Sequence, residues 1–74
     1  MISLESLPPG TRARVLGVAG GYGLSRRLME MGFTPGTIVE VVNSGPGPLL
    51  VRVRGVVIAL GRGVARKIIV QPIG

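Results

Sequence analysis

The sequence predicts a mainly β fold, a small and partly open barrel of about five strands that carries one short α-helix. Three observations support this. Thirteen glycines and six prolines fall in clusters that cut the 74 residues into short pieces. Most of these pieces alternate apolar and polar residues as half-buried strands do. A single stretch changes to helical period. With 46% hydrophobic residues and no cysteine, residues 1–74 are expected to form one domain whose stability comes from packing, not from disulfides or a thiolate metal site.

The elements follow in order. After Pro8-Pro9-Gly10, the stretch Thr11 to Ala19 sets Ala13 and Val15 between Arg12, Arg14 and Leu16, the mark of a strand with one face buried. Gly20-Gly21-Tyr22-Gly23 breaks that pattern as a flexible corner. Leu24, Leu28 and Met31 then stand at i, i+4 and i+7, opposite Arg26, Arg27 and Glu30. This predicts a short helix with Met31 packed in the core. Gly32 suits the helix end, and Thr34-Pro35-Gly36-Thr37 has the Pro and Gly positions of a type II turn.

Thr37 to Asn43 is the next expected strand, and Ser44-Gly45-Pro46-Gly47-Pro48 is a loop because two prolines cannot donate to a ladder. Leu49, Val51 and Val53 alternate with Leu50, Arg52 and Arg54, so Arg52 and Arg54 are expected on one strand face. Gly55 allows a tight turn into Val56 to Leu60, an apolar run that predicts a strand buried on both faces. Gly61 to Lys67 has room for a single helical turn before a last strand, Ile68 to Gln71. Strands this short, joined by short loops, close most naturally as a small barrel, which also limits exposed edges.

Nine basic residues against three acidic ones give a formal charge of +6; eight of the nine are Arg, and Asp is absent. The imbalance points to an anionic partner or surface, with solubility as the plain alternative. The longest apolar run, Val56 to Leu60, is far short of the ~20 residues of a membrane helix. Met1 to Ser6 lacks the features of a signal peptide, so the expected location is the cytoplasm.

Without His, Cys or Asp, the chain lacks the usual general bases, activated nucleophiles and transition-metal ligands. Glu5, Glu30 and Glu40 have no acid/base spacing, and Lys67 is a lone amine. The expectation is a protein that is no enzyme, with no cofactor and no metal ligands of its own. The Gly20–Gly23 corner resembles a phosphate loop but lacks the Lys-Ser/Thr that such a loop requires. Concentrated polar chemistry is left to the cations: Arg12 with Arg14, Arg26 with Arg27, Arg52 with Arg54, and the group Arg62, Arg66 and Lys67. The aromatic residues are Tyr22, placed to stack, and Phe33, placed to plug the core. Two rings do not make a stacking platform, so nucleic acid is an unfavoured partner whose binding would be mainly electrostatic.

The segment Leu28-Met29-Glu30-Met31-Gly32-Phe33-Thr34-Pro35-Gly36-Thr37, preceded by Leu7-Pro8-Pro9-Gly10 and followed by Val51 to Leu60, resembles the FeoA family of ferrous iron transport accessory proteins. The resemblance runs from Leu4 to Val70 and includes Ile58-Ala59-Leu60, Ala65 and Ile68. It implies an SH3-like small barrel in the cytoplasm that assists the membrane GTPase-permease FeoB. It also implies turn roles for Gly10, Gly32 and Gly36 and core roles for Leu28, Phe33, Val39, Val53, Ile58, Leu60 and Ala65. The same domain closes DtxR-type metal-dependent repressors, but no helix-turn-helix segment precedes it here, so a free-standing protein is expected. On this footing the expected docking face is Tyr22, Arg26 and Arg27. Arg52 and Arg54 form a second surface for the same partner or for anionic lipid headgroups. A nucleic-acid-binding barrel and a detached repressor domain are the competing readings.

Overall fold

Alternation along the chain becomes a six-stranded antiparallel sheet in the structure, a computed structural model that describes residues 2–73. The order is β1 (Ile2–Ser3), a 3-10 turn (Leu4–Ser6), β2 (Arg12–Val18), α1 (Tyr22–Glu30), β3 (Ile38–Asn43), β4 (Leu49–Val53), β5 (Val56–Leu60), α2 (Arg62–Ala65) and β6 (Ile68–Ile73). Across the sheet the strands run β1-β6-β2-β3-β4-β5. The strand beyond the expected five is β1, which sets Ile2 opposite Val70 and Ser3 opposite Ile69. Two residues are too few to show alternation in a sequence.

β2 lies between β3 and β6 and turns Ala13 and Val15 inward, both fully buried. Register shifts next to Leu16 in β2 and Val42 in β3 leave these two side chains exposed. Such bulges bend the sheet, which here wraps around one core. Leu4, Leu28, Phe33, Val39, Val53, Leu60, Ala65 and Ile68 meet in that core, with Ile58 partly buried against it. Among the described residues no ladder joins the edge strands β1 and β5, so the barrel stays partly open.

The helix ends as a Schellman motif. The Phe33 N–H donates to the Leu28 carbonyl at 2.9 Å and the Gly32 N–H to the Met29 carbonyl at 3.0 Å, with Gly32 at φ +109°. That reversal drives Phe33 into the core and carries Met31, the last residue before it, outward. Met31 is accordingly 41% exposed instead of packed. The start of the helix also differs from expectation: Tyr22 and Gly23 form its first turn and do not belong to the preceding corner. Both Pro-Gly turns form, with the Thr37 N–H on the Thr34 carbonyl at 3.0 Å and the Thr11 N–H on the Pro8 carbonyl at 3.3 Å.

Two strand expectations are corrected. Val56 and Val57 are 60% and 47% exposed, because β5 is an edge strand and only Ile58, in part, and Leu60 reach the core. Arg54 is not on β4; with Gly55 it forms the two-residue β4–β5 turn, at φ +52° and +81°. Positive φ at both positions is the type I′ geometry that suits the twist of a hairpin.

A Cβ added at Gly32 would stand 2.8 Å from Val53 Cγ1. Gly32→Ala should therefore lower stability by about 2 kcal/mol or more, from left-handed backbone and overlap together. In a urea-denaturation cycle, Val53→Ala should recover the overlap part and leave the backbone part.

Candidate docking surface

Leu24, Leu28 and Met31 do share one side of α1, as their spacing predicts. Only Leu28 is fully covered. The remainder of the stripe faces Ala59 and Leu60 of β5 and Val64 of α2 across an open groove of about 390 Å³. Arg27 and Glu30 border it. The groove is thus an apolar trough with one charge of each sign at its rim. Its existence was not legible in the sequence. The stripe was visible, but which part stays uncovered depends on where α2 and the end of β5 fall.

The expected site residues separate into two groups. Tyr22, 78% exposed, and Arg26 lie four residues apart on one outer side of α1, where Arg26 also meets Glu30 at 3.8 Å. Arg27 is turned from them toward the groove. Arg52 and Arg54 lie around another, smaller groove with Arg12, and Arg52 pairs with Glu40 at 2.9 Å. Arg54 runs beside the end of α1, its Cδ 3.8 Å from where a Gly32 Cβ would stand. Arg54 thus brings the second surface to the end of α1, while Tyr22 stands at its start.

The cationic group expected at the end of the chain does not act as one. Arg62 is half-buried and donates to three carbonyls of the β3–β4 loop: Ser44 at 2.7 Å, Gly47 at 3.1 Å, and Gly45. The guanidinium ties that loop to the start of α2 and is not displayed to a ligand. Arg66 reaches Glu5 at 3.5 Å. Each of the three carboxylates of the chain consequently has an Arg within 4.0 Å. Among the described residues, no three His, Cys, Asp or Glu side chains come together as a metal site. No helix among them is long and apolar enough to cross a membrane.

The FeoA domain family matches residues 2–72. A curated Methanocaldococcus jannaschii protein, "Putative Fe(2+) transport protein A", is 34% identical over 71 residues, which cover 96% of this chain and 87% of that one. A crystal structure described as an iron uptake regulatory protein, FeoA, superposes with a TM-score of 0.91 at 34% identity, covering 97% of both chains. Stenotrophomonas maltophilia FeoA, crystallised with zinc and described as a procaryotic SH3 domain protein, gives 0.85 at 35% identity, covering 96% of this chain and 91% of that one. A manganese-dependent transcriptional repressor shares the fold, with a TM-score of 0.84 at 18% identity, and the chain covers 41% of its length.

Replacing Arg62 by Met keeps the aliphatic stem and removes the donors to Ser44, Gly45 and Gly47. The expected cost is about 1–2 kcal/mol, read as a lower Tm, together with faster amide exchange confined to the β3–β4 loop and the first turn of α2.

Proposed function

From the membership of this chain in the FeoA family of ferrous iron transport proteins, we propose that it serves iron uptake by docking on the cytoplasmic side of a membrane GTPase-permease of the FeoB type. It acts by binding, not by catalysis. Its three carboxylates are engaged by Arg, and it has no His or Cys to supply a base, a nucleophile or a soft metal ligand.

The observation that carries this reading is the groove between α1 and β5. An open apolar trough bordered by Arg27 and Glu30 offers buried area for an apolar side chain of a partner and charged hydrogen bonds to fix its register. Tyr22 and Arg26 extend the surface along the outer side of α1. A large exposed ring next to guanidinium groups is the composition that dominates protein interfaces. Partner carboxylates meet Arg26 and Arg27 as charge-assisted pairs, bidentate where the fork can align.

The test is a pull-down with detergent-solubilised permease at moderate salt. The double variant Arg26→Glu, Arg27→Glu should retain about tenfold less permease. Met31→Asp, which puts a charge in the groove, should do the same without loss of fold, since Met31 is exposed. Retention unchanged by both variants eliminates this face.

A further inference from the structure

The outward side of the sheet concentrates positive charge in a way the groove reading does not use. Register sets Arg12 of β2 opposite Glu40 of β3, and Glu40 opposite Arg52 of β4. Arg14, two residues along β2, points to the same side. Arg54 adds a fourth guanidinium at the tip of the β4–β5 hairpin, and a groove of about 230 Å³ opens between Arg12, Arg52 and Arg54. Among the described residues the one carboxylate on this side, Glu40, is held by Arg52. Among the described residues no carboxylate lies within 4.0 Å of Arg12, Arg14 or Arg54.

Two further observations say what meets this charge. Val57 stands opposite Arg52 on the same side and is well exposed, whereas Val56, opposite the buried Val53, belongs to the other face. A β-branched side chain beside guanidinium groups suits the headgroup boundary of a bilayer, its apolar tip inward and the cations on phosphate. A nucleic-acid surface would call for rings, and this side has none: Tyr22 starts α1 and Phe33 is buried. In addition, Arg54 keeps a left-handed backbone in a type I′ turn, φ +52°, where Asn or Gly would fold more easily. A strained arginine at the tip of a hairpin is a position held against folding preference.

We propose that Arg12, Arg14, Arg52 and Arg54, with Val57, form a surface that rests on an anionic phospholipid bilayer. Guanidinium forks engage headgroup phosphates and carboxylates, and Val57 enters the headgroup boundary. This cationic groove shares no lining residue with the groove beside α1, so the inference stands apart from transporter docking. Its effect is to hold the protein at the membrane plane.

The experiment is co-sedimentation with vesicles of phosphatidylcholine containing phosphatidylserine, against vesicles of phosphatidylcholine alone, at low and near-physiological salt. The protein should sediment with the anionic vesicles, less so as salt rises, and not with the neutral ones. Arg54→Asn should raise Tm by about 4 °C while lowering retention about fivefold, a combination that misfolding cannot produce. Arg12→Glu with Arg54→Glu should lower retention more than about a hundredfold. Arg66→Glu with Lys67→Glu changes the net charge equally, but Lys67 lies opposite Ala19, beyond the Val18 end of β2. That is about 20 Å along the strand from Arg12, and this variant should lose far less.

Absence of binding to anionic vesicles, equal binding to neutral ones, or equal losses in the two double variants would overturn the proposal. Preferential capture by a single-stranded oligonucleotide at matched phosphate concentration would overturn it in favour of nucleic acid. No transporter is present in these vesicles, so the result is independent of the pull-down.

Discussion

A chain of 74 residues with one Phe, one Tyr and no Trp has little aromatic volume with which to build a core, and the Phe33 ring is therefore the largest side chain it buries completely. Delivering that ring requires α1 to stop and reverse within two residues, which Gly32 permits through its positive φ. Much of the molecule depends on this reversal. It sets the helix end against Val53 and Arg54 of the β4–β5 hairpin, carries Met31 outward, and leaves the trough between α1 and β5 open.

Electrostatics then divides the guanidinium groups by task. Arg62 is consumed internally, its donors satisfying carbonyls of the β3–β4 loop, which lies outside the ladder. Arg26, Arg52 and Arg66 each hold a carboxylate at an exposed site, where such pairs stabilise little but do cancel charge locally. Of the charge left uncancelled, Arg12, Arg14 and Arg54 gather on one side of the sheet and Arg27 stands beside the apolar trough, while Arg62 is tied to loop carbonyls and Lys67 stands apart from both. Most of a net charge of +6 is thereby distributed between two distinct surfaces, one dominated by guanidinium groups and the other by an apolar trough.

Elements whose pattern is local were legible. The strand through Leu49, Val51 and Val53, the helix with its Gly32 end, the two Pro-Gly turns and the single helical turn of α2 all stand close to where the residues predict them. Phe33 fills the core as its position after the helix suggests, and Leu28, Val39, Val53, Leu60 and Ala65 join it. The resemblance to the FeoA family, carried by the segment from Leu28 to Thr37, agrees with the family match and with the solved structures that share its SH3-like fold. Errors came where burial depends on a neighbour distant in sequence. An apolar run such as Val56–Leu60 reads alike whether its strand is central or at an edge, and β5 is at an edge. An arginine such as Arg62 reads as a surface charge until a loop fifteen residues earlier closes over it.

The sequence by itself determined the period of each segment, the sites where the chain must turn, the absence of His, Cys and Asp, and the excess of Arg, because all of these are properties of residues and their near neighbours. Tertiary structure alone decided which apolar residues remain uncovered, which guanidinium groups are already spent on carboxylates and carbonyls, and which of the rest come together. The reason is physical: exposure and pairing are settled by strand order and helix placement, and a one-residue reversal at Gly32 is enough to exchange the inside for the outside.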